Sequence, residues 1–578
     1  MTAADATTGM AQALVDEWAR AGMTDAVLAP GSRSAPLALA LAGDSRVRLS
    51  VFLDERSASF FALGAAKASG RPVVVLSTSG TAAATFHPAV LEAWYARVPL
   101  VVCTADRPPE LRDTGAGQAV DQIKLFGDAV RWFAEVGVPE DVPGAGRYWR
   151  SVAARSWAAA QGPPAGPVHL NLAFREPLLP TGGPPVAAPG RPASEPWVTS
   201  SGLGLLPPPG EVGAAAAEVD SRPRGLVVVG WGAGVSAGSV DRLARAAGWP
   251  VLADAVSGVR SGRNAVSTYD PLVRLPAFAS AWKPDVVLHL GAPLTNRSAT
   301  AWLDSSVDRI LVDPDNVWLD PQRSASRRVV GDPEALLAGV FERLCGPGAN
   351  DAWLGGWMRA EHCARQALDG VLDSWEDVFE GRVVRDVVAS LPDGAAVVVG
   401  SSMPVRDAES FTAARSGLRW FSNRGANGID GFVSTVLGVA SAADGASPTV
   451  GLLGDLTFLH DAGGLLGAAD RGLNAVFVVL DNNGGGVFSF LPQADLPDHF
   501  ETLFGTPHGL DLASLAAAYG IPAQRVIRAA EVVPAVQEAM AGGGVRLVVV
   551  PSDRTENVLR HRKAWAAVAE AVEAAGLV

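Results

Sequence analysis

Short unbroken apolar runs alternate along this chain with longer stretches whose apolar residues recur every three to four positions. In the first third the runs Asp25 to Ala29, Val51 to Leu53, Pro72 to Leu76, Val98 to Cys103 and Pro167 to Leu172 predict strands. Met10, Leu14 and Trp18, at four-residue spacing, and the stretch Ser57 to Ala68 predict helices between them. The pattern resumes with Gly225 to Val229, Val286 to Leu290 and Arg309 to Val312. It returns a third time with Ala396 to Val399, Thr449 to Leu453, Ala475 to Leu480 and Val545 to Val550. Strands apolar on both faces, alternating with helices, belong to parallel sheets covered on both sides. The predicted fold class is α/β, with three doubly wound parallel-sheet domains.

Punctuation sets the boundaries. Residues 1–182 form the first domain, and 183–223, dense in proline and glycine and including Pro207-Pro208-Pro209, read as a linker. A central domain covers 224–350, an alanine- and tryptophan-containing connector 351–375, and the last domain 376–578. The first and last share an architecture, as two halves of one ligand site would.

Composition narrows the class. The chain has 578 residues, too many for one core, with 48% hydrophobic and 19% charged residues, as in ordinary globular proteins. A net charge of −13 disfavours nucleic acid and anionic membrane as partners. Three cysteines without metal or redox spacing, no secretory leader and no 18-residue apolar stretch predict a cytoplasmic enzyme that neither binds nucleic acid nor enters a membrane.

Chemistry concentrates between Gly451 and Phe490. Two strands there end at Gly454-Asp455 and at Asp481-Asn482-Asn483-Gly484, and Leu459 to Gly472 between them predicts a helix. Parallel strands present both ends on one edge, where such sheets place their ligands. Asp455, the Asn482 amide and a carbonyl at Gly484 fit a shared hard cation completed by phosphate. They fit equally a helix cap and an ordinary turn. The loop Pro30 to Pro36, with Ser32 and Arg33, opens a helix whose free amides suit an anion, and Glu55 stands at another helix start; from the local sequence an ordinary strand-to-helix loop and a solvated helix-start acid are the favoured readings. Gly230-Trp231-Gly232-Ala233-Gly234 with Asp254 resembles a dinucleotide fingerprint, but Val235 replaces its third glycine, so a structural strand-loop-helix is favoured.

The segments PGSRSAPLALAL, DERSASFFALG, TSGTAAA, TADRPPELRDTGAGQ, SNRGANGIDG and GDLTFLHDAGGL together resemble one family, spread over all three domains. It is the thiamine-diphosphate-dependent 2-succinyl-5-enolpyruvyl-6-hydroxy-3-cyclohexene-1-carboxylate synthases of menaquinone biosynthesis. The resemblance implies thiamine diphosphate and Mg2+ (or Mn2+) as cofactors, with domains of the thiamine-diphosphate enzyme type. It implies 2-oxoglutarate and isochorismate as substrates: the first loses carbon dioxide, and its four-carbon remainder adds to the ring alkene of the second.

By the same resemblance Glu55 hydrogen-bonds the cofactor's aminopyrimidine and, with Gln118, is catalytic. Ser79, Gly80, Ser402, Ile429, Gly454, Asp455, Leu456, Asn482 and Gly484 contact the cofactor, with Asp455, Asn482 and Gly484 on the metal. Leu456 stands where the motif usually has glycine. Ser32, Arg33, Arg107, Gln118, Arg297, Ser402, Arg406 and Arg424 line the substrate pocket, since guanidinium forks suit the carboxylates of both substrates. Asn296 stands where relatives carry a second basic residue. His87, His460, His499 and His508 read as structural or peripheral. Glu55 and Asp455 would come from different chains, implying a homodimer or a homotetramer. An acetolactate-synthase-type carboligase, a non-catalytic scaffold of the same fold and a flavin or nicotinamide oxidoreductase are the competing readings.

Overall fold

A computed structural model describes all residues except 1–2, 181–189, 203, 304–306, 346–350 and 444–446. It contains three sheets, parallel throughout. The first holds β1 (Asp25–Leu28), β2 (Arg48–Val51), β3 (Val73–Ser77), β4 (Leu100–Asp106), β5 (Trp132–Glu135) and β6 (Pro167–Ala173), in the order β2-β1-β3-β4-β6-β5. The second holds β7 (Gly225–Val229), β8 (Val251–Ala253), β9 (Val286–Leu290), β10 (Asp308–Asp313) and β11 (Arg327–Val330), in the order β11-β10-β9-β7-β8. The third holds β12 (Ala396–Val399), β13 (Arg419–Phe421), β14 (Thr449–Gly454), β15 (Ala475–Asp481), β16 (Ala523–Arg525) and β17 (Val545–Pro551), in the order β13-β12-β14-β15-β17-β16.

Counted from its own first strand, the third sheet repeats the order of the first, so the first and last thirds share one topology. Each sheet reverses its winding between its first and third strands, which leaves a crevice at the strand C-termini. The central strands are buried valine and leucine runs, as sheets covered on both faces require.

The chain divides into two compact units: Met1–Leu203 with Asn423–Ala446 and Leu459–Leu473, and Gly204–Ser422 with Ser447–Phe458 and Asn474–Val578. The segment 376–578, drawn from the sequence as one domain, thus contributes to both. The physical cause lies in the first unit, where helix Glu55–Ser69 packs backbone to backbone on helix Phe432–Ser441. A Cβ on Gly64 would strike the Thr435 carbonyl, and one on Gly438 the Phe61 carbonyl.

Three local expectations change. The part of the proposed linker at 183–189 and 203 lies outside the described residues, but Pro209–Ser221 is a helix that buries Val212, Ala215, Ala216 and Val219. The connector 351–375 is mostly one helix, Asp351–Asp373, whose Trp353, Trp357, Ala360, Ala364, Leu368 and Leu372 recur at three- to four-residue spacing and enter the core. The single helix expected over Leu459 to Gly472 is instead a short helix Asp455–His460 and two 3-10 turns, Ala462–Leu465 and Ala468–Arg471. Gly467 and Gly472, at φ 70° and 65°, bend the chain where a continuous helix would need negative φ.

Candidate active site

In the first unit the loops after β1 and β3 touch across the crevice, where Gly31 lies against Thr78. That contact sets Ser32, exposed, and Arg33, buried, beside Ser79 and Gly80. The loops after β4 close over them. Arg107 donates to Ser79 Oγ at 2.5 Å and to the Gly117 carbonyl at 2.8 Å. Gly80, at φ 86°, brings its backbone against Gln118, and its amide donates to Gln122 Oε1 at 2.9 Å. Arg33 is already engaged, donating to the Phe174 carbonyl at 2.9 Å and to Glu176 Oε1 at 3.2 Å. Burial, with the Arg33 guanidinium nearby, holds Arg107 below the ordinary arginine range. The two guanidinium groups thus lie near enough to feel one another's charge, with Asp106 and Glu176 offsetting it.

Glu55 opens helix Glu55–Ser69, but the capping task falls to Asp54, which accepts from the Ser57 amide at 3.1 Å. The half-buried Glu55 carboxylate therefore keeps no hydrogen-bond or ion-pair partner among the described residues. Arg424 and Ile429 ride on a separate loop of the same unit. Glu92 holds that loop by accepting from the Gly425 and Ala426 amides at 3.0 and 2.7 Å.

In the second unit the crevice lies between β12 and β14. Ser402, at φ 75°, precedes helix Met403–Phe411, and Arg406 in that helix donates to the Ser402 carbonyl. Across the crevice Asp455 follows β14. Its Oδ1 accepts from the Leu456 amide at 2.6 Å and its Oδ2 from the Gly484 amide at 2.7 Å. The turn after β15 is thereby drawn onto the carboxylate. Gly484, at φ 141°, has no room for a Cβ against the Gly505 carbonyl. Arg297 is exposed at the start of helix Arg297–Trp302, while Asn296 is buried and donates to Ser410 Oγ at 3.1 Å.

The two asparagines of the turn divide the work. Asn483 Oδ1 accepts from the His508 and Gly509 amides at 2.9 and 2.8 Å, which folds that segment over the turn. Asn482 turns its amide nitrogen to Glu380 Oε1 at 2.9 Å, and its Oδ1 is buried without a hydrogen-bond partner among the described residues. Burial pushes the Asp455 carboxyl up, against the pull of the Gly484 and Leu456 amides, and burial with Asp407 nearby pushes Glu380 up to about 7.

These groups fit a hard divalent cation. An orphaned amide oxygen and a buried carboxylate are oxygen ligands of the kind Mg2+ or Mn2+ takes. The Gly484 carbonyl accepts from the Gly486 amide at 2.9 Å and retains a second lone pair. Asp455, Asp481 and His508 also place ligand atoms within 4.8 Å of one another.

His508 is the main departure from the sequence reading. Expected to be structural or peripheral, it is not peripheral: its Nε2 lies 3.2 Å from Asp455 Oδ2 and 3.7 Å from Asp481 Oδ1. Asn483 helps hold the segment there through the His508 and Gly509 amides, and sequence spacing carries no signal of that. Glu380 and Gln122 were missed for the same reason.

The dinucleotide alternative fails on Asp254, the residue that would bind a ribose. Its Oδ1 accepts from the Val256 amide at 3.1 Å, and its Oδ2 from the Thr295 amide and hydroxyl at 2.8 and 2.6 Å. Gly230 instead packs against the Ala292 carbonyl, a reason for glycine that needs no nucleotide.

Known protein families match along most of the chain. Residues 8–125 match the family described as thiamine pyrophosphate enzyme, N-terminal TPP binding domain. Residues 215–396 match the middle domain of thiamine pyrophosphate, and 402–550 the C-terminal TPP binding domain of thiamine pyrophosphate enzymes. A 2-succinyl-5-enolpyruvyl-6-hydroxy-3-cyclohexene-1-carboxylate synthase of Geobacillus kaustophilus (strain HTA426) is 44% identical over 577 residues, covering 98% of this chain and 99% of its own. That of Thermobifida fusca (strain YX) is 47% identical over 583 residues, with coverages of 98% and 99%. An X-ray structure from Mycobacterium smegmatis, described as thiamin diphosphate-dependent, superposes with a TM-score of 0.71 at 20% identity, over 94% of this chain and 99% of that one. The last shares the fold; the first two share the sequence along its length. The chain belongs to the 2-succinyl-5-enolpyruvyl-6-hydroxy-3-cyclohexene-1-carboxylate synthase family of thiamine pyrophosphate enzymes.

Proposed function

We propose that this protein decarboxylates 2-oxoglutarate and adds the remaining succinyl unit to isochorismate in menaquinone biosynthesis. The products are 2-succinyl-5-enolpyruvyl-6-hydroxy-3-cyclohexene-1-carboxylate and carbon dioxide. The observation that carries the reading is full-length similarity to synthases of this name.

Asp455, Asn482 and Gly484 would hold the divalent cation, which would supply positive charge for a diphosphate. Ser402 and the amides that begin helix Met403–Phe411 lie beside them, where backbone N–H groups favour an anion. Bound thiamine diphosphate supplies the carbon nucleophile and the electron sink that decarboxylation of a 2-oxoacid requires. Glu55 holds a proton at the aminopyrimidine ring, a task open to it because Asp54 takes the helix cap. Arg33, Arg107, Arg297, Arg406 and Arg424 receive the substrate carboxylates, with Ser32 and Gln118 orienting the acceptor. Ser79, Gly80, Ile429, Gly454 and Leu456 shape the cofactor's bed.

The active unit is a homodimer, in which Glu55 of one chain serves the Asp455 centre of the other; a homotetramer would pair two such dimers. No helix among the described residues is long and apolar enough to cross a membrane. Three unpaired cysteines favour the cytoplasm.

The deciding experiment mixes the protein with thiamine diphosphate, Mg2+, 2-oxoglutarate and isochorismate and analyses products by mass spectrometry, omitting each component in turn. The expected result is an adduct of isochorismate plus a succinyl unit that disappears in every omission. Carbon dioxide release without the adduct moves the acceptor to another compound. No reaction in the complete mixture overturns the proposal.

A further inference from the structure

We infer that Glu380 is the positioning residue of the cation centre: it fixes the Asn482 amide so that oxygen, and not nitrogen, faces the ion. The inference rests on the proposal above that Asp455, Asn482 and Gly484 hold a divalent cation.

An asparagine amide is close to symmetric in shape. Its oxygen and its NH2 group occupy similar volumes, and only hydrogen bonding distinguishes the two orientations. As a cation ligand it works in one orientation, because an amide NH2 has no lone pair to offer. Something must therefore hold the amide in place before the ion arrives.

Glu380 meets that need. It opens helix Glu380–Ser390, far from Asn482 in sequence, and is 1% exposed. Its Oε1 accepts from Asn482 Nδ2 at 2.9 Å and from Ser552 Oγ at 2.7 Å. The Ser552 amide donates in turn to the Asp481 carbonyl at 2.9 Å, which ties the end of β17 to the end of β15 directly beneath the turn. Glu380 Oε1, as used here, accepts from both neighbours, so the Asn482 group facing it must be the NH2. The amide oxygen is then forced to the opposite side, where it is buried and unpartnered among the described residues.

A buried amide oxygen without a partner is costly unless a ligand takes it. The buried Glu380 carboxylate, which accepts from its nitrogen and from Ser552 Oγ, is costly as well. Both costs fall on one side chain pair, and a cation at Asn482 Oδ1 accounts for both. Groups that orient metal ligands from behind commonly change metal affinity ten- to hundredfold when altered.

The test measures Mn2+ binding to the full-length protein with thiamine diphosphate present, by the loss of the free-ion electron paramagnetic resonance signal. Melting temperature without metal is recorded in parallel. Glu380→Gln is expected to weaken Mn2+ binding about tenfold or more, because glutamine can present either its oxygen or its nitrogen to Asn482. The decisive variant adds Asn482→Asp to Glu380→Gln. A carboxylate offers oxygen in both orientations and needs no orienting, and the glutamine can donate to it, so Mn2+ affinity should return toward that of the unaltered protein.

Unchanged Mn2+ affinity in Glu380→Gln overturns the inference. So does weakened affinity that the double variant fails to restore, since that is the behaviour of a residue needed only for folding. Mn2+ binding that survives Asp455→Ala overturns the cation reading itself, and this inference with it.

Discussion

Lys67 and Glu92 form a buried ion pair at 3.0 Å, their side chains 8% and 4% exposed, at the base of the loop that carries Arg424 and Ile429. Lys67 Nζ also donates to Asn423 Oδ1 at 2.8 Å, and Glu92 accepts from the Gly425 and Ala426 amides. Burial pulls the Lys67 ammonium below its usual range while Glu92 pulls it back up, so the pair and the loop depend on one another. Lys67→Met strands a buried carboxylate, and the expected loss is about 3 kcal/mol of stability. Lys67→Met with Glu92→Gln removes both charges and should recover much of it. Urea unfolding of the three proteins checks this; equal midpoints for the single and double variants contradict it.

Gly64 makes a second, uncharged prediction. Its Cα sits against the Thr435 carbonyl, as Gly438 does against that of Phe61, so two helix backbones are in contact with no side chain between them. Gly64→Ala raises helix propensity yet must push helix Phe432–Ser441 away. Overpacking of this kind costs about 1–3 kcal/mol, more than the propensity gain of about 1. A fall in melting temperature is expected, and a rise would show that the helices separate freely.

Glu55→Gln tests the proton role. Glutamine keeps the size of the side chain and leaves the Asp54 cap untouched, so the melting temperature should stay within a degree or two of the unaltered protein. Turnover should fall about a hundredfold or more, the usual worth of a positioned acid or base. Assaying product formation at saturating cofactor separates the chemistry from weakened binding. Full activity would remove Glu55 from the mechanism.

Legibility followed burial. Central strands such as β4, β9, β14 and β15 are buried and rich in valine and leucine, and the sequence located each within a few residues. Edge strands β5, β11, β13 and β16 were not visible, and neither was the three-residue edge strand β8, although it is buried. They are short, and β16 is exposed at every position, so neither periodicity nor a buried run marks them. The helix at 351–373 was legible in principle, since its tryptophans and alanines keep helical spacing, but its alanine content suggested a connector.

The site divided along the same line. Asp455, Asn482 and Gly484 sit at strand ends twenty-seven and twenty-nine positions apart (482 − 455 and 484 − 455), and one strand-helix-strand unit brings them together. His508 and Glu380 reach the same centre through contacts 53 and 102 residues apart in sequence, which only the folded chain reveals.

The last prediction concerns pH. Glu409 is fully buried against Asp254, and its Oε2 accepts from the Ala255 amide at 2.7 Å. Burial first, and the Asp254 carboxylate second, push the Glu409 carboxyl well above its usual range. The folded protein therefore keeps a proton on this group that the unfolded chain releases above the ordinary carboxyl pKa, about 4.3. Between those two values the folded state binds more protons, so stability falls as pH rises, and it is fully present only below the lower one. Glu409→Gln is permanently neutral and can donate to Asp254 as the protonated acid does. The variant should match the unaltered protein near pH 4 and exceed it by a margin that widens toward pH 8. Melting temperatures across that range decide it: a constant difference would mean that Glu409 ionises alike in the folded and unfolded chains.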